Sequence, residues 1–536
     1  MPHPPKAMGS RGVSPGRKEE ESPAKKSVRI ALNSESSVLG RRSEDEPIGM
    51  LASRTTSGGM EMEHIVPMVD ALKTTPRPEL RRGAEASQLL QCFGRALWSR
   101  PHFEYSFQVT EIDDYWSHSW GERAWKKVLV LLWLHNGTSA MICGTLTAVA
   151  VAPFSALSLL GAFEAPCVSA GLLAFWLVLL LKRPRRTVFL DQVCINKEDE
   201  EMKHEGLLNL QYCLRSCKSM LLLWDLSYAE SLLPIFEVAG FLRLHEGEKI
   251  HLDIRPTMLA PFFLVNILGN TAIAFVTLYV TFDHDWKLFV VIACFIPYFI
   301  ACGLLLLFYF ASVQSLKEQL NLFSVDSVHC QCCGHGHRSR SGQAIECERK
   351  MIFQSISMCF GSLEDFERYV SNKVSRAFAQ RLGNFLCQYW MVVVLGAPVF
   401  WGDLDLLSNA WRQDDQLKAG LLLAIGLSWW LAIIPAAYVL FIALIAKSQR
   451  RQKRRIGLVP KLCWRLLPPC ALIALLSTAG LYQKFCLKCI TNQVLGIGIF
   501  VGTLILPCYL IWRASTKNTS MFGPRCDTGR HGLHPG

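Results

Sequence analysis

Leu172-Leu-Ala-Phe-Trp-Leu-Val-Leu-Leu-Leu181 runs without a charge, Lys182-Arg-Pro-Arg-Arg186 follows at once, and Thr187-Val-Phe-Leu-Asp191 comes next. The three pieces answer different physical demands. An uncharged apolar helix suits lipid on every side, whereas a helix in water needs a polar stripe. Clustered basic residues at its end fix which side of a bilayer that end occupies. A short β-branched and aromatic run closed by an acid reads as a strand of a domain in water. The chain passes here from a membrane span, through a cytosolic flank, into an α/β segment.

Outward from this junction the same alternation recurs. Apolar runs near the length set by a ~30 Å hydrocarbon core and 1.5 Å per helical residue are Val128 to Val149, Phe154 or Ala162 to Leu181, Met258 to Phe282, and Leu288 to Val313. The others are Leu386 to Phe400 (the shortest), Ala419 to Ala446, Leu462 to Leu481 and Val494 to Trp512. The 536-residue chain is 51% hydrophobic with only 19% charged residues, and its mean hydropathy is +0.23. These features predict a polytopic α-helical membrane protein of about eight spans with a small cytosolic α/β module, a parallel sheet.

Basic residues orient it. Lys182, Arg183, Arg185 and Arg186 lie after the second span, and seven lysines and arginines lie within 447–461. Eight spans put both clusters on one side and both termini in the cytosol, with loop 447–461 against anionic lipid. The net charge of +12 is thereby assigned to the bilayer rather than to nucleic acid, for which no binding motif is present. The expected order is a disordered basic and polar tail over 1–100, a first strand region over 101–126, and a membrane hairpin over 127–181. The main α/β segment over 182–257 is followed by a hairpin over 258–313 and a Cys/His-rich, helical cytosolic segment over 314–385. Spans five and six (386–446), the basic loop (447–461), spans seven and eight (462–512) and a disordered tail (513–536) complete it.

Channels and transporters place ionisable groups inside the bilayer. These spans are read as holding almost none beyond His135, Glu164 and Arg465, so a channel or transporter is the weakest functional reading. Asn266 and Asn270 share a helix face and suit hydrogen bonds between helices. Gly498 and Gly502 suit close helix packing. Many of the 20 cysteines lie in apolar runs, where they act as small hydrophobes.

Past Asp191, the polar stretch from Asn196 leads to a helical pattern over Glu205 to Arg215. A buried strand over Met220 to Trp224 and a helix over Ile235 to Leu242 follow. Strand and helix alternating at this spacing imply a parallel sheet, whose ligands sit at the carboxyl ends of strands. Asp191 and Asp225 fall there. This stretch resembles the Toll/interleukin-1 receptor (TIR) domain family in Phe189-Leu190-Asp191, Ser216, Leu221-Leu222-Leu223, Tyr228, Ser231 and Glu237. Leu233-Pro234 replaces the family's Trp-Cys. Asp114-Tyr-Trp-Ser-His-Ser-Trp120 looks like the family's first strand, so a membrane hairpin stands where its first helix would be. Asp191-Gln-Val-Cys-Ile-Asn196 also resembles the related heterokaryon-incompatibility domain.

The resemblance implies one of two roles. In the leading reading the module binds protein partners in signalling. In the alternative it is a membrane-bound NAD hydrolase, with Glu237 catalytic, Asp191, Trp224 and Asp225 against the substrate NAD, and the carboxylate stabilising an oxocarbenium-like centre.

Cys330, Cys332, Cys333, His335, His337 and Cys347 form a separate cluster. Thiolates and imidazoles in a reducing compartment are the ligands zinc prefers. A palmitoylated juxtamembrane cluster and an unliganded loop are the alternatives.

Overall fold

β-Structure organises the part of the chain outside the long apolar helices. In a computed structural model, described over residues 81–98, 102–279 (save 120, 122, 160–164 and 198), 285–452 (save 329, 335, 338–346 and 383–388) and 458–517, one sheet has the order β2-β1-β4-β3-β5-β6. The strands are β1 (Arg82–Glu85), β2 (Ser106–Gln108), β3 (Ile112–His118), β4 (Thr187–Phe189), β5 (Cys217–Trp224) and β6 (His251–Pro256). β3 pairs in parallel with β4, Tyr115 opposite Phe189, and with β5, Tyr115 opposite Met220; β6 adds in parallel to β5. The four parallel strands follow a doubly wound order with β3 inside. The expected adjacency of the 110–120 and 187–191 segments is therefore present.

The six-stranded sheet is mixed rather than parallel as expected, because β1 pairs antiparallel with β2 and β4; both faces of its parallel part are covered, as parallel strands require. Side chains alternate along each strand. Trp116, Val188, Leu190, Leu221 and Leu223 point into one core, which continues into the apolar helices. Tyr115, Phe189, Met220, Leu222 and Trp224 point into the other, shared with helix Leu232–Leu244 and with residues 313–382. Segment 314–385 is thus a layer of the module, through helices Glu348–Phe360, Leu363–Tyr369 and Ser375–Leu382.

Of the tail expected over 1–100, residues 1–80 lie outside the described residues, and residues 81–98 are part of the fold. Arg82–Glu85 pairs with β2 and β4, and Leu89, Ala96 and Leu97 enter the core. Gly94 closes a left-handed turn at φ 69°. A Cβ there would lie 2.3 Å from a Val128 methyl, so the close approach of this turn to helix Ala124–Ala156 needs glycine.

Among the described residues, seven helices are long and apolar enough to cross a membrane. The remaining member of the expected eight, Pro166–Leu181, has 16 residues, about 24 Å of helix. It is nevertheless a full arm of a hairpin. Asn136 donates to the carbonyls of Leu179 and Lys182, both at 2.9 Å, so the arm returns the chain to the level of residue 136. Asn136 sits in a π-turn, Trp133–Gly137, where helix Ala124–Ala156 passes from the sheet into the bundle.

Span five differs from its reading. Helix Tyr389–Arg412 continues through Asp403 and Asp405, which the hydropathy pattern assigns to a loop. Buried Asp405 accepts hydrogen bonds from the backbone N–H groups of Cys167 (2.8 Å) and Val168 (3.0 Å). It thereby satisfies the exposed donors and the dipole at the start of helix Pro166–Leu181. Asn266 and Asn270 make the interhelical bonds expected of them, with the hydroxyl of Tyr298 at 3.0 and 3.2 Å and the carbonyl of Leu395 at 2.7 Å. Nothing approaches Gly498 or Gly502 closely, so neither makes the close helix contact expected of it among the described residues.

Candidate functional site

The carboxyl ends of β3, β4 and β5 converge, as the topology demands. Asp191, just beyond β4, is buried and takes the ammonium of Lys197 at 2.8 Å. Burial pushes its carboxyl up, but Lys197 and His118 outweigh that and hold it below the usual range. Asp225, just beyond β5, accepts from the backbone N–H (2.7 Å) and hydroxyl (2.6 Å) of Ser227 and from the hydroxyl of Ser119. It ties the β3 end to the turn after β5. Trp224 is 1% exposed. None of Asp191, Trp224 and Asp225 lines the cavity of about 240 Å³ at this edge. That cavity is bounded by Lys197, Lys203, Ser227, Ser231, Leu233 and Glu348, among others.

Glu237 lies deeper still. It is 3% exposed and does not line the cavity. The Tyr115 hydroxyl donates to one carboxyl oxygen at 2.8 Å, and Ser117 bonds the other. Ser117 also meets the hydroxyl of Tyr228 at 2.9 Å, and Tyr228 donates to the carbonyl of Pro234 at 3.0 Å. Tyr228 has one proton and spends it on Pro234, so its oxygen accepts from Ser117. The Ser117 oxygen is then free to accept from a protonated Glu237, which gives the hydroxyls of Tyr115, Ser117 and Tyr228 a partner each. Burial, reinforced by Asp191, pushes the Glu237 carboxyl up to about 8, in keeping with that arrangement. Glu237, Tyr228 and the segment that holds Tyr115 and Ser117 stood out in the sequence; the hydrogen-bond network that joins them did not, because they meet only when β3 lies against helix Leu232–Leu244.

Four members of the Cys/His cluster come together. Ligand atoms of Cys332, Cys333, His337 and Cys347 all lie within 4.8 Å of one another and could hold a metal ion. The chain reaches this geometry through a tight turn: the N–H of His337 donates to the carbonyl of Cys332 at 2.9 Å, and Gly336 and His337 have φ of 62° and 55°. His335 lies outside the described residues. Cys330 stands beside the set, its thiol bonded to Cys332. That bond pushes Cys332 down to about 5 and Cys330 up. Glu348, next in chain to Cys347, pairs with Lys203 at 3.2 Å, so the cluster also holds one wall of the 240 Å³ cavity. Loop 447–461 falls partly outside the described residues, at 453–457.

No protein-family model, curated protein or solved structure matches this chain. Its functional reading rests on its own residues.

The Glu237 carboxyl gives a pH signature. Its pKa rises from 4.5 to about 8 in the fold, so the native state binds the proton that the unfolded chain has released. That contribution is fully present below pH 4.5 and is lost as pH rises to about 8. His118, kept neutral by burial until pH falls to about 3, acts in the opposite sense over the lower part of this window. The difference between wild type and Glu237→Gln isolates the glutamate. Thermal unfolding of the full chain in detergent should show wild type losing stability relative to the variant across the window; a constant difference would refute the buried neutral acid.

Proposed function

We propose that the chain is an integral membrane protein whose TIR-like α/β module faces the cytosol and binds protein partners in signalling. Both termini lie on that side, since the short hairpin arm restores an even number of crossings and the basic clusters then agree. The observation that carries a non-catalytic module is the enclosure of Glu237. Each of its oxygens is occupied by a hydroxyl within the core, and among the described residues Glu237 lines neither the cavity of about 240 Å³ nor that of about 910 Å³. A hydrolase needs that group against the ribose. Leu233 and Pro234, which depart from the family's Trp-Cys, line the cavity instead, and the parallel order around β3 supports the family reading.

The full-length protein, purified in detergent, should release nicotinamide from NAD at the same background rate as Glu237→Gln. Turnover above background that the substitution abolishes would install the hydrolase reading. Loss of partner capture by a variant carrying charge at the cavity rim, such as Leu233→Glu, would support the assembly role.

The cluster of Cys332, Cys333, His337 and Cys347 is proposed to bind zinc. Three thiolates and one imidazole match the donor set of closed, structural tetrahedral sites, and the segment they fasten packs directly on the module. Metal analysis of the full chain should return about one equivalent of zinc. Cys332→Ser with Cys347→Ser should lose it, together with thermal stability that chelators also remove. A metal-free, fully stable wild type would contradict the site.

A further inference from the structure

A second cavity, of about 910 Å³, opens at the amino ends of the strands, on the opposite edge of the sheet from Glu237. Its position is set by the apolar helices. Arg185 and Arg186 follow helix Pro166–Leu181 directly. Arg381, on helix Ser375–Leu382, is the last cation before helix Tyr389–Arg412. His135, from helix Ala124–Ala156, lines the wall beside Asn136, whose amide bonds the carbonyl of Lys182. Two apolar helices, Ala124–Ala156 and Pro166–Leu181, thus bring lining residues to one level, that of the Asn136 bond to the Lys182 carbonyl. In a bilayer this is the headgroup layer.

The charge lining is uneven. Five cations, Arg185, Arg186, Lys218, Arg255 and Arg381, meet three carboxylates, Asp113, Asp114 and Asp253. Each carboxylate is already matched. Asp114 takes Arg186 at 2.9 Å, Asp113 takes Lys218 at 3.2 Å, and Asp253 takes Arg255 at 2.8 Å. Arg381 bonds only the carbonyl of Leu252, and Arg185 has no ion-pair partner among the described residues. The Nε2 atom of His135 is buried without a hydrogen-bond partner. Two guanidiniums without carboxylates around one cavity call for an oxygen-rich anion of more than one charge. Guanidinium forks suit phosphate oxygens in particular.

We propose that this cavity binds the phosphomonoester-bearing headgroup of a membrane lipid. No described residue of loop 447–461 lines the site, and the proposal is independent of whether the α/β module is catalytic. A lipid occupant follows from the position, because the headgroup would reach the cavity while its acyl chains remain beside the apolar helices.

The test uses the full-length protein in phosphatidylcholine nanodiscs, titrated with fluorescent phosphatidylinositol bisphosphate, phosphatidylserine, or soluble inositol trisphosphate. The phosphomonoester lipid should bind most tightly. Arg185→Gln with Arg381→Gln should weaken it on the order of tenfold or more, while Lys447→Gln with Arg450→Gln should leave it unchanged. Arg185 is exposed, so Arg185→Gln alone provides a folded variant with a partial loss. Equal binding by wild type and the double variant would overturn the site. Phosphatidylserine binding as tightly would reduce it to unselective surface charge. Soluble inositol trisphosphate matching the lipid would remove the lipid assignment.

Discussion

The pairing of β3 with β4 is the constraint from which the rest of the architecture follows. Parallel neighbours need a crossover connection, ordinarily one helix lying on the sheet. Here the crossover is the apolar hairpin of helices Ala124–Ala156 and Pro166–Leu181. The start of the first helix covers the sheet as a crossover helix would, and its remainder enters the bundle. The Trp133 and Phe263 rings, stacked at 4.2 Å, belong to the same core as Trp116 and Leu221 of the sheet. Sheet and bundle therefore share an interior packed at protein density, which transmits displacement rather than absorbing it.

The acids behave consistently within this frame. Glu237 is closed in by hydroxyls, Asp225 fastens a turn, Asp191 is held by Lys197, and Asp405 caps a helix. A buried carboxyl is costly unless every oxygen is matched, and each of these has donors supplied by a different element. These acids hold the assembly together. Two groups of side chains suited to an outside ligand sit elsewhere: the thiols of the cysteine cluster, and Arg185 and Arg381 where the sheet meets the apolar helices.

Much of this was legible in the sequence, for identifiable reasons. The long apolar helices showed because charge is absent over long runs, and β5 showed because Met220-Leu-Leu-Leu-Trp224 is too apolar for water. The need for a strand beside β4 followed from the same apolarity. β1 was hidden because Arg82-Gly-Ala-Glu85 carries no strand signal and is ordered only by its neighbours. β6 was hidden because it is an edge strand, burying only Leu252, Ile254 and Pro256. Asp403 and Asp405 misled the reading of span five, since hydropathy cannot tell a solvated acid from one that caps another helix. The cysteine cluster announced itself by composition, but the turn at Gly336 and His337, which selects its members, did not.

The crossover claim has a direct measurement. Asp114 and Val188 are facing positions on β3 and β4, separated in sequence by the whole apolar hairpin. In the full-length protein, cysteines at these two positions should form a disulfide under mild oxidation, identified by mass spectrometry as a link between the β3 and β4 peptides. Asp114 paired with a cysteine at Arg255, two strands away across β5, should not. A monodisperse, folded protein that yields no Asp114–Val188 link would show that the hairpin does not close this sheet.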